Sequence, residues 1–140
     1  MKARAKLIEG MAFLGEAGSG HSLVMDGSPE YGGRNAGFRP MELLLVGLAG
    51  CTAFDVVHIL RKGRERVDDC TVEVNATRAD ADPKVFTKLH LVYRVKGKGL
   101  ALTKVERAVQ LSKEKYCSAS IMFAQVAEVT YEFHLEPEDA

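Results

Sequence analysis

The chain has 140 residues, 46% of them hydrophobic and 27% charged, and its 19 basic and 19 acidic residues leave a formal net charge of zero. That balance excludes the electrostatic footprint of a protein that grips a nucleic acid or an anionic membrane, and the hydrophobic content excludes a disordered chain. The length suits one domain over residues 1–140 with its own core.

The first third reads as short strands. Lys2–Glu9, Met11–Gly15 and His21–Asp26 are separated by Glu9-Gly10 and by Ala17-Gly18-Ser19-Gly20, both turn signals. Asp26-Gly27 opens a stretch to Phe38 with Pro29 and glycines at 27, 32, 33 and 37. Such a stretch is either a functional or mobile loop or a plain surface connection.

Pro40 then begins a long apolar run to Leu60, with Gly63 placed to end it. Proline fits the first helical turn, where its missing N–H would be unpaired anyway, and glycine suits the far end. Apolar side chains occupy nearly every face of this helix, the pattern of a buried one. Glu42, Asp55 and His58 lie within it, so a core helix is expected rather than a membrane span. Complete burial in so small a chain implies that a second subunit supplies part of the cover.

Val72, Val74 and Ala76, then Leu89, Leu91, Tyr93 and Val95, alternate with polar residues as a hairpin having one wet face. Thr103 and Glu106 have the spacing of a capping box, opening a helix that ends near Tyr116. Ser118 or Ser120 is placed to cap a short further helix through Ile121, Met122 and Phe123. Val129, Tyr131, Phe133 and Leu135 form a last alternating strand. The architecture expected is α+β: an antiparallel sheet, a long buried central helix and a C-terminal helical pair.

The three cysteines are Cys51, Cys70 and Cys117. An odd number without a C-x-x-C pair predicts neither a disulfide scaffold nor a structural zinc site. The N-terminal MKARAKLIEG lacks the apolar core of a signal peptide, so a cytoplasmic protein with reduced thiols is expected. Cys51 sits between Gly47-Leu-Ala-Gly50 and Thr52-Ala. Each of these glycines costs about 1 kcal/mol in a helix relative to alanine, which implies either a close backbone approach or space cleared around the Cys51 sulfur. Cys117 lies between two helices, where a helix N-terminus favours the thiolate; whether it meets Cys51 is left open by spacing. Cys70 follows Asp68-Asp69, whose charges oppose thiolate formation, and reads as structural. Asp55 and His58 fall on the helix face of Cys51, so a thiol hydrolase constellation can be drawn, although such polar groups more often bond neighbouring backbone.

Two stretches, Pro40-Met-Glu42-Leu-Leu-Leu-Val-Gly47-Leu-Ala-Gly50-Cys51-Thr-Ala-Phe-Asp55-Val-Val and Glu114-Lys-Tyr116-Cys117-Ser118, carry a family likeness. The chain resembles the OsmC/Ohr superfamily, and within it the YhfA-like branch. The resemblance implies an OsmC-like, intertwined homodimer with central helices packed back to back. It implies that Cys51 is a peroxidatic thiol attacking an organic hydroperoxide, and that Cys117 resolves the resulting sulfenic acid as a disulfide. A dithiol or lipoyl-type reductant would reopen that bond, with no cofactor and no metal. Leu48, Phe54, Met122 and Phe123 would form the apolar wall for a fatty or aryl substrate. Such a protein would be an oxidoreductase of oxidative-stress defence, and its partners would be a second copy, the hydroperoxide and the reductant.

The activating residues differ from the family's pattern. Its glutamate precedes the cysteine by ten residues, whereas Glu42 precedes Cys51 by nine; Glu42 is retained as the candidate. Where the family has an activating arginine, the matching stretch here offers His21, with Arg34 or Arg39 as alternatives from the following loop. These departures support a rival reading, a non-catalytic dimer that binds a small electrophilic or apolar ligand in the interface groove.

Overall fold

The computed structural model describes residues 1–139. It forms two compact units, Met1–Leu44 and Leu45–Ala140.

The first unit is a three-stranded antiparallel sheet in the order β1 (Ala3–Glu9), β2 (Ala12–Ala17), β3 (Ser22–Met25). Its turns fall where the glycines predicted them: Gly10 and Gly20 have φ of +58° and +91°, conformations that glycine adopts without strain. The stretch after β3 is not a free loop. Asp26 is buried and its carboxylate accepts the backbone N–H groups of Gly27, Arg34 and Ala36 at 2.7, 3.1 and 3.1 Å. The chain is closed again by Asp26 N–H on the Phe38 carbonyl and Phe38 N–H on that of Val24. Gly37 is required there, because a Cβ would strike the Val24 carbonyl.

Helix α1 (Pro40–Lys62) starts at the expected proline. Glu42 reaches back to accept the Arg39 N–H at 2.8 Å, the glutamate half of a capping box. The helix ends in a left-handed residue, but that residue is Arg64 (φ +64°) rather than Gly63. Glu65 N–H returns to the Leu60 carbonyl at 2.9 Å, which satisfies an otherwise orphan acceptor.

The second unit holds a sheet in the order β4 (Asp69–Arg78), β5 (Phe86–Lys96), β6 (Glu128–Leu135). β4 and β5 are antiparallel as expected, but β6 runs parallel to β5, with Leu89 opposite Val129 and Val95 opposite Leu135. The sheet is therefore mixed rather than antiparallel. Parallel neighbours need a crossover, supplied by α2 (Leu102–Leu111), a π-helical turn (Ser112–Tyr116) and α3 (Ser118–Phe123).

The core of this unit is Leu89, Leu91, Tyr93 and Val95 of β5, Leu48, Val56 and Leu60 of α1, and Val105, Ala108 and Val109 of α2. Each large member contributes about 1.5–3 kcal/mol by leaving water. Along α1 the buried residues Leu48, Thr52, Val56 and Leu60 recur every fourth position, a single stripe. Within one chain the helix is thus not buried all round: Val46 and Phe54 are exposed, and a Cβ at Gly47 or Gly50 would meet nothing within 4 Å. Among the described residues, the close approach expected at these glycines is not made. α2 begins at Leu102 after Ala101, with no side-chain cap, so Thr103 and Glu106 form no capping box.

Candidate functional site

Cys51 is half-buried on α1 and Cys117 is completely buried between the π-helical turn and α3. The expected serine cap of α3 is absent; Cys117 caps it, its sulfur accepting the Ser120 N–H at 3.3 Å. The Ser120 hydroxyl in turn donates to the Cys117 carbonyl at 3.2 Å. Burial pushes the Cys117 thiol above its ordinary value; the bonds from Ser120 oppose this, and the neighbouring Cys51 thiol pushes it further by side-chain hydrogen bonding and charge. Cys51 is thus near enough to act on the Cys117 thiol, whose pKa stands above its ordinary value. No disulfide joins them.

A line of hydroxyls absent from the sequence motifs runs from β5 through α1 to the π-helical turn. Tyr93 Oη, on β5, lies 2.7 Å from Thr52 Oγ1, which lies 2.8 Å from Ser112 Oγ, and Ser112 donates to Asp55 Oδ2 at 3.0 Å. Tyr93, Thr52 and Ser112 are fully buried, and every one of these groups has a partner, as burial demands. Burial raises the Tyr93 phenol well above its ordinary value, although the Thr52 bond offsets part of the rise. The signal was present in the sequence: Thr52 is the one polar residue in the stripe Leu48–Thr52–Val56–Leu60.

Asp55 is therefore engaged with Ser112 rather than His58, whose ring stacks on Phe54 with centroids 6.1 Å apart. A Cys51–His58–Asp55 hydrolase constellation is not assembled. Tyr131 of β6 stacks on Tyr93 at 6.3 Å, and the Lys113 ammonium sits 4.6 Å from the Tyr131 ring centroid.

The other expected site residues are dispersed. Leu48 is buried in the core stripe, Met122 is 71% exposed, and Phe123 packs edge-on against Phe86 at 6.1 Å. Phe54 lines a cavity of about 500 Å³ with Gly50, Ala53, Val57, His58, Arg61 and Cys70. Burial, and secondarily the Asp69 charge, raises the Cys70 thiol, in keeping with a structural role. In the first unit, His21 pairs with the Ser19 hydroxyl at 3.1 Å and lines a cavity of about 500 Å³ with Arg4, Glu16 and Leu43. Arg39 donates to Asn35 Oδ1 and the Gly37 carbonyl, and Arg34 lies 3.5 Å from Glu9. Glu42 spends its carboxylate on the helix start. Among the described residues, no three His, Cys, Asp or Glu side chains are grouped to hold a metal.

Comparison with known proteins places this geometry in a family. The family model for OsmC-like proteins matches residues 32–132. Protein YhfA of Escherichia coli strain K12 is 42% identical over 138 residues, covering 96% of this chain and 98% of its own. A hypothetical protein of Aquifex aeolicus VF5 has the same fold at 30% identity, with a TM-score of 0.80 over 97% of each chain. The organic hydroperoxide resistance protein OsmC of Legionella pneumophila shares the fold at 20% identity and a TM-score of 0.68, covering 95% of this chain and 96% of that one. The chain belongs to the OsmC-like family.

Proposed function

We propose that the protein is a thiol-dependent reductase of organic hydroperoxides acting in oxidative-stress defence. The observation that carries this reading is the apposition of Cys51 with the buried Cys117. The organic hydroperoxide resistance function named for the Legionella pneumophila protein supports it at the level of the shared fold.

In this reading the Cys51 thiolate attacks the distal oxygen of the hydroperoxide. The O–O bond breaks, the alcohol leaves with a proton, and Cys51 becomes a sulfenic acid. The Cys117 sulfur then attacks the Cys51 sulfur, water leaves, and a disulfide forms. A dithiol reductant reverses the disulfide by two exchange steps and is itself oxidised. The two thiols divide the labour by burial: Cys51 is the accessible one, while Cys117 is shielded from peroxide and keeps its proton until it is needed.

A second copy of the chain is the proposed cover for the exposed face of α1 at Val46, Gly47, Gly50 and Phe54, where none of the described residues lies within 4 Å of a Cβ at either glycine. The cytoplasm, whose thiol pool keeps such cysteines reduced, is the proposed setting. Purified reduced protein treated with cumene hydroperoxide tests the reaction. A Cys51–Cys117 disulfide found by peptide mass mapping, with peroxide consumed faster than by Cys51→Ser, is the expected result. Equal consumption by the two proteins would overturn it.

A further inference from the structure

We propose that Ser112 is a positioning residue that holds Cys117 in place for closure onto Cys51, with Thr52 and Asp55 as its anchors on α1. The inference rests on the thiol-pair reading above and adds the device that makes the pair effective.

The geometry is a short bridge. Thr52 follows Cys51 directly, so its hydroxyl is fixed to the helical turn that carries the first sulfur. Ser112 Oγ lies 2.8 Å from Thr52 Oγ1 and donates to Asp55 Oδ2 at 3.0 Å. The Ser112 carbonyl accepts the Cys117 N–H at 2.8 Å, the bond that closes the π-helical turn. Cys51 and Cys117 are thereby connected through Thr52 and Ser112 alone, bypassing the long chain between them.

The directions of these bonds follow from the proton count. A carboxylate only accepts, so Ser112 gives its one hydroxyl proton to Asp55. Thr52 must then donate to Ser112, and Tyr93 to Thr52. Each hydroxyl donates once, and the line is rooted in β5 at the buried Tyr93. The register of the π-helical turn satisfies all four groups, and π-helical turns recur at functional sites. Disulfide closure needs the Cα atoms within roughly 7 Å and the sulfurs aligned. Its effective concentration therefore depends on how firmly that register is held.

The test uses the full chain equilibrated with mixtures of glutathione and glutathione disulfide. Attack by Cys51 on glutathione disulfide forms a mixed disulfide and releases one glutathione; attack by Cys117 on the Cys51 sulfur releases the second. One glutathione disulfide is thereby reduced as the two thiols are oxidised. The ratio of internal to mixed disulfide, read by intact mass and multiplied by the free glutathione concentration, gives the effective concentration of Cys117. Ser112→Ala and Asp55→Ala are expected to lower it about tenfold or more, while Asp55→Asn, which keeps a carbonyl acceptor, stays within about threefold of the unsubstituted protein. The proposal is overturned if the alanine variants stay within about twofold of the unsubstituted protein, or if Asp55→Asn loses as much as Asp55→Ala. Should Ser112→Ala fail to fold, the half-buried Asp55 pair decides alone. Hydroperoxide enters nowhere in this titration, so a protein that consumes none would sink the proposed activity and leave the positioning result standing.

Discussion

The hydroxyls of Thr52 and Ser112 meet at 2.8 Å across 60 residues of sequence. The contact joins the residue after Cys51 to the residue whose carbonyl holds the Cys117 amide. Both groups are fully buried, and each has one further partner, Tyr93 for Thr52 and Asp55 for Ser112.

Thr52→Val keeps the shape of the side chain and removes the hydroxyl, leaving Tyr93 and Ser112 each short of a partner. Destabilisation of about 1–3 kcal/mol is expected in urea unfolding. Tyr93→Phe removes the root of the same line, so the double variant should lose less than the sum of the single losses. Strict additivity would show that the bonds are not coupled.

The pH dependence of disulfide closure should betray the environment of Cys117. Burial holds this thiol above its ordinary value, so the attacking thiolate is scarce at neutral pH. Closure, followed by stopped-flow loss of the sulfenic acid, should keep accelerating beyond about pH 8.5, where an unperturbed cysteine is already half-ionised. The same shift has a thermodynamic face. The folded state keeps its proton longer than the unfolded chain, so the stability due to Cys117 is complete below the unfolded value and is lost as pH rises through the folded one. Cys117→Ser should flatten that alkaline decline.

Asp26 works in the opposite direction. Burial alone would raise its carboxyl, but the backbone N–H groups of Arg34, Ala36 and Gly27, aided by the Arg34 charge, bring it below the ordinary carboxylate value. Its stabilisation is therefore present above the unfolded value, about 3.9, and is lost as pH falls through the lower folded value. Comparing Asp26→Asn with the unsubstituted protein by denaturation at several pH values checks this. The gap should be constant above about pH 5 and close only in strong acid.

Gly47 separates chain stability from self-association. Nothing lies within 4 Å of a Cβ built there, so Gly47→Ala should favour the helix by about 1 kcal/mol in an isolated chain. If a second copy packs on that face, the added methyl interferes, and the dissociation constant measured by sedimentation should rise about tenfold, the equivalent of about 1.4 kcal/mol. An unchanged constant would place the contact elsewhere.

Much of this architecture was written in local signals. Pro40 marks the helix start, and the alternation around Leu89–Val95 marks a strand buried on one face. The cysteine motifs pointed to two thiols, and Cys51 lies near enough to Cys117 to act on its titration. The direction of β6 was not legible, because side chains alternate with period two in parallel and antiparallel strands alike. The π-helical turn was hidden for a similar reason: one turn of bonds reaching five residues back leaves no periodic trace. Thr103 and Glu106 have the spacing of a cap, yet the chain enters the helix two residues earlier, with Ala101 before Leu102. At Arg64 the left-handed residue stands one place beyond the glycine that invited it. The hydroxyl line joins three elements, so no local window contains it.

The parallel course of β6 beside β5 restricts how the molecule can breathe. Both ends of the segment bearing Cys117 run into strands of one sheet, leaving by β5 and returning by β6. It is a strap sewn down at both hems, not a flap on a hinge. Any rearrangement that accompanies a change at the sulfurs has to be taken up inside the crossover, because swinging the whole segment outward would mean unzipping the edge strand. Removing residues 128–135 should therefore do more than shorten the sheet, since it would cut one of the two seams that keep Cys117 facing α1.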